Sequence, residues 1–382
     1  MKIIFTGGGT AGHLFPILAI ARELRKNYSE PDLDLYYFGP KNQKTDILFS
    51  IENIKIKNIP SGKIRRYPSF DNFIDLFKLP CGVIKAFCLL FFKAPDLIFS
   101  KGGYGSFPTV LAGRMLRVPI FLHESDSIAG LASKIESKWC VEVFSSFEKT
   151  EKLPEEKIVC LGNPIRSEVI GETGQDNKKA AKSFLGIETQ KPILLILGGS
   201  QGAMSINNLL LETLPDILPE FEVIHQTGDI SFQQIKKEVK VLVNSPALLA
   251  SYHSFAFLNE AQLKNAYTAS DLIISRAGGG AIFEIAASKK PAILIPLPGA
   301  AQNHQAKNSY FFQARGACEV LEEDNLKAHL FLEKIKYLFY NPELLRTMAE
   351  NSANFARPKA ARLIANYLLE YLYRSFAPIE GQ

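Results

Sequence analysis

Three glycine-rich segments, residues 6–13, 197–203 and 275–284, constrain the fold more than any other feature of this chain. Each follows a short apolar run of strand length, and the first and third lead directly into an amphipathic, helix-like pattern. Glycine lets the backbone turn tightly, and the helix start that follows adds unpaired N–H donors for an anion. One such loop is as often a packing feature as a phosphate site. Three in one chain predict strand-to-helix loops that bind phosphate at more than one place.

Apolar runs alternate with helical stretches along the whole chain, which predicts parallel sheets covered by helices on both faces. We expect strands at residues 3–6, 35–38, 97–100, 120–122, 141–144, 158–161, 193–197, 222–225, 255–258, 272–274, 292–295 and 317–321. The 382 residues are too many for one core and suit two domains. We expect one domain at residues 1–162, joined by a C-terminal helix within 360–382, and the other at 163–359.

The composition, with 47% apolar and 22% charged residues, is typical of a globular protein in water. A net charge of +5 permits contact with an anionic membrane or a phosphorylated ligand. The first residues resemble a strand, since their apolar run is too short for a signal peptide. The five cysteines lack metal-site spacing, so we expect free thiols in a reducing cytoplasm and no protein metal site.

Residues 73–92 form the most apolar stretch. Charged residues and Pro80 interrupt it, so it fails the requirement of about 20 uncharged apolar residues for a spanning helix. We expect two short amphipathic helices that meet near residues 80–82. Aromatic side chains among cations suit insertion into an anionic leaflet, so Phe73, Phe77 and Lys78 are predicted membrane contacts. The alternative is that these residues are ordinary helix core.

Seven motifs in order resemble the MurG family of glycosyltransferases, from about residue 2 to about residue 369. They lie at residues 8–13 (GGTAGH), 102–108 (GGYGSFP), 123–130, 162–166 (GNPIR), 198–203 (GGSQGA), 276–284 and 304–308. The resemblance implies the GT-B fold, in which two Rossmann-like, doubly wound parallel-sheet domains face a central cleft.

The resemblance also implies the reaction and its setting. N-acetylglucosamine would move from UDP-N-acetylglucosamine, with inversion, to a muramyl-pentapeptide carried on undecaprenyl diphosphate, in peptidoglycan synthesis. The enzyme would be peripheral on the cytoplasmic face of the cell membrane, without a tightly bound cofactor. The family context allows contacts with other cell-wall synthesis proteins, and nothing points to nucleic acid.

The resemblance assigns donor-binding roles in both halves of the chain. They fall on Thr10, Gly12, Asp126, Arg166, Ser200, Gly279, Gly280, Glu284, His304 and Gln305. The Ser200 hydroxyl and the N–H groups near Gly279 suit a diphosphate, and Glu284 can accept both ribose hydroxyls. Arg166 resembles the residue that contacts the uracil of the donor in this family. The alternative interpretation of Arg166 is a solvated cation in the linker. Placement near a helix N-terminus is the alternative for Glu284.

The acceptor side is predicted in the first half. His13 follows the first glycine loop and is the candidate base, while Glu124 and Asp126 are further catalytic candidates. Gly9, Gly103 and Tyr104 are predicted acceptor contacts. Alternatively, His13 only caps its loop and Glu124 is a satisfied loop carboxylate.

Two departures from the family pattern stand out. Ser125-Asp126 occupies the place of Gln-Asn, and Ala281 occupies the place of Thr. An ionised Asp126 can accept a hydrogen bond but not donate one. Rival functions are another GT-B transferase acting on diacylglycerol, a UDP-N-acetylglucosamine epimerase, and a non-catalytic nucleotide-binding module. The Asp-x-Asp at residues 32–34 is expected to be a solvated edge, not a metal motif.

Overall fold

The computed structural model describes residues 1–28, 32–62, 70–199 and 202–376, with the backbone alone described at 44, 70–77, 375 and 376. The strands are β1 (Lys2–Thr6), β2 (Asp34–Gly39), β3 (Lys55–Asn58), β4 (Leu97–Ser100), β5 (Ile120–Glu124), β6 (Glu142–Ser145), β7 (Ile158–Cys160), β8 (Ile193–Leu197), β9 (Glu222–Gln226), β10 (Tyr252–Phe255), β11 (Leu272–Ser275), β12 (Ala292–Leu294) and β13 (Cys318–Val320). The helices are α1 (Ala11–Asn27), α2 (Gln43–Ile51), α3 (Phe70–Lys93), α4 (Phe107–Met115), α5 (Leu131–Glu136), α6 (Gln175–Phe184), α7 (Met204–Ile217), α8 (Phe232–Leu242), α9 (Pro246–Leu249), α10 (Glu260–Ala269), α11 (Gly279–Ala287), α12 (His304–Gln313), α13 (Ala328–Tyr340), α14 (Pro342–Phe355) and α15 (Ala360–Phe376).

The chain divides into two compact units. The first contains Met1–Arg166 and Pro358–Gln382, and the second contains Ser167–Arg357. Each unit has one parallel sheet with a separate hydrophobic cluster on each face. The assignment of the acceptor to one unit and the donor to the other stays a prediction.

Both sheets have the doubly wound strand order. It is β3-β2-β1-β4-β5-β6-β7 in the first unit and β10-β9-β8-β11-β12-β13 in the second, and all neighbouring strands are parallel. The central strands are buried on both faces, which explains their nearly continuous apolar sequences. The predicted fold class is therefore confirmed at the level of each unit.

This strand order determines where ligands can bind. The order reverses between β1 and β4 and again between β8 and β11. Ligands of open α/β sheets bind beyond the carboxyl ends of the strands at such points. The three glycine-rich segments follow β1, β8 and β11, and Gly102-Gly103 follows β4. The sequence motifs thus lie at both switch points.

Helix α15 belongs to the first unit, where it packs against α1. Ile364 and Leu368 are fully buried in the same cluster as Ile17 of α1. Leu363 is 44% exposed, whereas Leu372 is buried. The buried face of α15 therefore contains Ile364, Leu368 and Leu372.

Three elements differ from the sequence prediction. The strand predicted at 255–258 lies at Tyr252–Phe255, because this edge strand is only half-buried and carries no apolar run. Strand β3 was not predicted for the same reason, since its sequence is KIKN. The two helices predicted within 73–92 are one helix, α3, which contains Pro80. A Cβ on Gly82 would lie 2.0 Å from the Pro60 carbonyl oxygen, so Gly82 marks a close backbone contact rather than a helix break.

Candidate active site

His13 lies in the first turn of α1, where the loops after β1 and β4 meet. Its Nδ1 is 3.1 Å from the carbonyl oxygen of Lys101. A carbonyl only accepts hydrogen bonds, so Nδ1 carries the proton and Nε2 keeps its lone pair. Loop geometry therefore selects the tautomer that a general base at Nε2 requires.

Two glycines leave room for the His13 ring. A Cβ on Gly8 would lie 2.9 Å from Cδ2 of His13, and a Cβ on Gly103 would lie 2.9 Å from its Cε1. Gly103 also has φ +84°, a conformation that favours glycine. The predicted acceptor loop thus packs against the candidate base, and Tyr104 beside it is 37% exposed.

The surroundings of His13 keep it neutral. Burial and the positive charge of Lys101 lower its pKa from 6.5 to about 4, against a smaller opposing effect from Asp126. An imidazole with this pKa is almost entirely unprotonated at pH 7, so it is able to accept a proton.

Glu124 ends β5 and is buried. Its Oε1 accepts a hydrogen bond from the Asp126 N–H at 3.1 Å, and its Oε2 accepts one from the Gly130 N–H at 3.4 Å. Burial and the nearby Asp126 charge raise the pKa of Glu124. This carboxylate orders the β5–α5 loop, and its catalytic role, like that of Asp126, stays a prediction.

The other predicted residues of the first unit lie around the same loops. Thr10, the exposed N-cap of α1, and Gly12, in its first turn, leave that helix start open, while the Gly9 carbonyl accepts from Nδ2 of Asn42 at 3.0 Å. Arg166 is only 5% exposed, and its guanidinium lies 3.8 Å from the ring centroid of Phe15. The alternative of a solvated linker cation is therefore wrong.

Sequence reasoning missed Lys101. This lysine directly follows β4 and is 3% exposed, and its Nζ donates to the Ser125 hydroxyl at 2.6 Å. Ser125 in turn donates to Oδ1 of Asn163 at 2.9 Å. Burial lowers the pKa of Lys101 to about 8. A charged residue at the carboxyl end of a central strand was the signal that could have identified it.

Glu136 was also missed, since the helix sequence LASKIE gives no local sign of its role. Its carboxylate is fully buried and accepts hydrogen bonds from the hydroxyls of Ser100 and Ser106, each at 2.6 Å. The Gly102 N–H donates to the Ser100 oxygen at 3.0 Å. Glu136 therefore holds both ends of the loop that contains Gly103.

This buried carboxylate predicts a pH-dependent stability. Burial raises the pKa of Glu136 from 4.5 to about 7, so the folded protein binds its proton more tightly than the unfolded chain. The stability from this group is complete below pH 4.5 and is lost as the pH rises through 7. The loss is about 3 kcal/mol, at about 1.4 kcal/mol per pKa unit.

We expect Glu136→Gln to remove that dependence. Relative to the variant, wild type should lose stability between pH 5 and pH 8. Trp139, the single tryptophan, lies one turn from Glu136 in the first unit, so its fluorescence reports unfolding locally. Equal pH dependence in both proteins would contradict the prediction.

In the second unit, the start of α11 is open. Its N-cap, Gly278, has no capping side chain, so the first-turn N–H groups near Gly279 and Gly280 remain available for an anion. Glu284 lies in the second turn and accepts from the Tyr267 hydroxyl at 3.2 Å. The helix dipole acts mainly on the first turn, so it does not explain a carboxylate at this position.

The first turn of α12 carries the other described donor candidates of this unit, His304 and Gln305. His304 donates from Nδ1 to the Ala301 carbonyl at 2.8 Å, and Gln305 accepts from the Leu297 N–H at 3.0 Å. Gln302 and Asn303 have φ of 59° and 54°, uncommon values for residues other than glycine. Ser200 lies outside the described residues.

Arg276 ties the loops of the second unit together. It donates to the Ile295 carbonyl at 3.1 Å and to the Ser205 hydroxyl at 2.7 Å, and it pairs with Glu323. The loop after β11 is thereby fixed to the segments that follow β8 and β12. Among the described residues, no group of three or more His, Cys, Asp or Glu side chains is placed to hold a metal ion.

The second unit also has a cavity of about 1060 Å³, which lies away from the glycine-rich loops. Lysines such as Lys178 and Lys290 line it, and it sits at the amino ends of β8, β11 and β12. It is at the opposite edge of the sheet from the glycine loops. The loops, not this cavity, define the candidate site.

Two doubly wound parallel-sheet units with glycine-rich loops at their switch points are typical of a GT-B glycosyltransferase fold, and comparisons with known proteins agree. Residues 3–145 match the glycosyltransferase family 28 N-terminal domain, and residues 193–364 match its C-terminal domain. The chain belongs to glycosyltransferase family 28. The resemblance inferred from the motifs is confirmed.

Named relatives are similar along nearly their whole length. A Treponema denticola protein, 34% identical over 97% of both chains, is named UDP-N-acetylglucosamine–N-acetylmuramyl-(pentapeptide) pyrophosphoryl-undecaprenol N-acetylglucosamine transferase. A Clostridium tetani protein with the same name is 36% identical over 92% of this chain and 94% of its own.

Solved structures show the same fold. Acinetobacter baumannii MurG matches with a TM-score of 0.73 and 23% identity, covering 97% of this chain and 99% of its own. A UDP-GlcNAc 2-epimerase from Neisseria meningitidis matches with a TM-score of 0.65 and 15% identity, covering 97% of this chain and 100% of its own. At these identities the structures support the fold alone.

Proposed function

We propose that this enzyme transfers N-acetylglucosamine from UDP-N-acetylglucosamine to muramyl-pentapeptide linked to undecaprenyl diphosphate. The observation that carries this proposal is the nearly full-length similarity to relatives named for that reaction. The epimerases share the fold at much lower identity. The enzyme is therefore an N-acetylglucosaminyltransferase of peptidoglycan synthesis.

The chemistry assigned to His13 follows from its tautomer. The muramyl 4-hydroxyl oxygen attacks C1 of the donor sugar, the bond from C1 to the diphosphate oxygen breaks, and UDP leaves with that electron pair. Nε2 of His13 takes the hydroxyl proton, while Nδ1–H stays bonded to the Lys101 carbonyl. In-line attack inverts the donor linkage from α to β.

The donor contacts are proposed for the open start of α11. N–H groups near Gly279 and Gly280 receive the diphosphate, and Glu284 accepts the ribose hydroxyls. His304 and Gln305 are assigned to the sugar hydroxyls and Arg166 to the uracil side. Since Ala281 has no hydroxyl, backbone donors bind the phosphate there.

The acceptor contacts are proposed for the loops around His13. Gly9, Gly103 and Tyr104 lie on the two loops that converge there, and this position supports their assignment to the acceptor diphosphate. Glu136 holds the loop that contains Gly103 in place, because its carboxylate accepts hydrogen bonds from the hydroxyls of Ser100 and Ser106.

The experiment that tests the function measures UDP release from UDP-N-acetylglucosamine with and without the lipid-linked acceptor. We expect release to require the acceptor. Tight UDP binding without acceptor-dependent release would favour a non-catalytic nucleotide-binding module.

Membrane association is proposed through α3. No helix among the described residues is long and apolar enough to cross a bilayer. From Lys78 onward, α3 has an exposed stripe at helical spacing, formed by Lys78, Cys81, Ile84, Lys85, Cys88, Phe91 and Phe92. Phe91 is 63% and Phe92 83% exposed. Apolar side chains beside lysines suit an anionic leaflet. The side chains of Phe73 and Phe77, predicted for the same role, lie outside the described ones.

We expect Phe91→Ser with Phe92→Ser to weaken binding to anionic vesicles at least about tenfold, since burying a Phe side chain contributes about 1.5–3 kcal/mol. Vesicle co-sedimentation measures the effect. A matched control is Ile230→Ser with Tyr340→Ser, which removes exposed apolar side chains from the second unit. Equal binding by both double variants would show that α3 is not the membrane surface.

A further inference from the structure

A chain of hydrogen bonds connects β10 to the loop after β9 in the second unit. The Tyr252 hydroxyl lies 2.8 Å from Nδ1 of His225, and Nε2 of His225 lies 3.0 Å from Oδ1 of Asn207. Nδ2 of Asn207 donates to the Thr227 carbonyl at 3.0 Å. His225, Asn207 and Thr227 are fully buried, so their polar groups depend on one another for hydrogen bonds.

The last acceptor fixes the direction of every bond in this chain. A carbonyl oxygen only accepts, so Asn207 presents its amide nitrogen to Thr227 and its amide oxygen to His225. Nε2 of His225 therefore carries the proton, and Nδ1 accepts from the Tyr252 hydroxyl. Burial lowers the pKa of His225 to about 3, which keeps the imidazole neutral, with one nitrogen that donates and one that accepts.

The end of this chain lies against the second glycine-rich segment, residues 197–203. A Cβ on Gly202 would lie 2.7 Å from the Thr227 carbonyl oxygen, the same atom that accepts from Asn207. Asn207 is the fourth residue of α7, which begins at Met204 directly after the segment. The hydrogen bond from Asn207 to Thr227 therefore holds the end of the segment against the loop after β9.

Gln226, the last residue of β9, holds the start of the same segment. Its amide oxygen accepts from the Leu258 N–H at 3.0 Å, so its amide nitrogen is the group that donates to the Gly199 carbonyl at 3.4 Å. Its own carbonyl accepts from the Gly198 N–H at 3.4 Å. Because Gln226 is buried, these bonds join the loops after β8 and β10 inside the protein.

This support matters for binding because the start of α7 is open. Its N-cap, Ala203, has no capping side chain, so the first-turn N–H groups are available for an anion, as at the start of α11. Such donors bind most tightly when the protein holds them in place before the ligand arrives, since binding then orders nothing further.

We propose that Asn207 and Gln226 are positioning residues for the donor, which hold the second glycine-rich segment and the start of α7 in the arrangement that receives the donor diphosphate. Neither side chain is assigned a contact with the donor. The inference rests on the proposed function, because it concerns donor affinity. A bound diphosphate itself orders the segment, so the contribution of both residues falls on binding more than on turnover.

The test compares Asn207→Leu and Gln226→Met, which nearly keep the size of each side chain and remove its amide hydrogen bonds. Calorimetry should show that UDP binds about tenfold more weakly to each variant, the scale expected when buried polar groups lose their partners. KM for UDP-N-acetylglucosamine should rise by a similar factor while kcat stays within about threefold, because saturating donor restores the segment.

Asn351→Leu is the matched control. Its amide also donates to a backbone carbonyl, that of Gly316 at 3.2 Å, but Gly316 precedes β13 and so lies at the opposite edge of the sheet from the glycine-rich segments. This variant should bind UDP as tightly as wild type.

NMR of the His225 imidazole reports the hydrogen-bond chain without any substrate. In wild type the ring should be neutral and protonated at Nε2 at neutral pH. Asn207→Leu removes the acceptor of that proton, so the Nε2–H signal should shift and its proton should exchange faster with water. Gln226→Met leaves the acceptor in place, so the signal should persist.

UDP affinity equal to wild type in folded Asn207→Leu and Gln226→Met would overturn the positioning role, and so would a loss confined to kcat. If Asn207→Leu does not fold, Gln226→Met alone decides, and unchanged UDP affinity in it contradicts the proposal. A wild type that binds UDP but shows no acceptor-dependent release, with weaker UDP binding in both variants, would support the positioning role and reject the transferase function alone.

Discussion

Replacing His13 with alanine should lower turnover by ~10²–10⁴, the usual contribution of a general base. UDP affinity should stay close to wild type, because the proposed diphosphate and ribose contacts lie on α11 of the second unit. Steady-state kinetics with calorimetry of UDP binding separates the two effects. His329→Ala, at an exposed histidine of the second unit, is the control. Nearly normal turnover in His13→Ala would show that the residue only caps its loop.

The pH dependence of kcat/KM gives a second test of the role of His13. Since the pKa of His13 is lowered to about 4, the neutral base is present throughout the neutral range and is lost only as the pH falls toward 4. The acidic limb of kcat/KM should therefore lie well below 6.5. An acidic limb of kcat/KM at pH 6.5 would instead indicate a base that is more exposed to solvent than His13.

Glu284→Ala should weaken UDP binding by about 1–3 kcal/mol, the scale of a lost charged hydrogen bond. Glu284→Gln keeps the shape and one acceptor, so its loss should be intermediate. Tyr267→Phe removes only the hydroxyl that donates to Glu284 at 3.2 Å and should have the smallest effect. Calorimetry with UDP measures all three. Unchanged affinity in a folded Glu284→Ala variant would remove this carboxylate from the site.

The sequence was sufficient for the parts of the fold that local pattern determines. Central strands such as Ile193–Leu197 are buried on both faces, and the apolar run of this strand predicted its bounds to the residue. The edge strand β3 was missed for the opposite reason, because Lys55–Asn58 is largely exposed and its sequence resembles a loop. Helix α3 was divided at Pro80 because a proline inside a helix looks like a break until its packing is known.

The residues of the candidate site were also only partly predictable from local sequence patterns. Glycine loops mark the switch points in the sequence, so His13, Gly103 and Glu284 could be identified from motifs. Glu136 and Lys101 act across loops, through Ser100, Ser106 and Ser125, over separations of 24 to 36 residues. No local pattern records such contacts, since they arise only when the parallel strands bring their carboxyl ends together.

The central claim, that the sugar passes from UDP-N-acetylglucosamine to the lipid-linked muramyl-pentapeptide, is tested most directly by the structure of the product. The full chain is incubated with both substrates, and the lipid product is analysed by mass spectrometry and by NMR of the new glycosidic linkage. The account predicts one N-acetylglucosamine in β linkage to the muramyl 4-oxygen, with one UDP released per product and none formed by His13→Ala above about 1% of wild type. Conversion of the donor to its C2 epimer without acceptor, or transfer to diacylglycerol in place of the muramyl lipid, would contradict it.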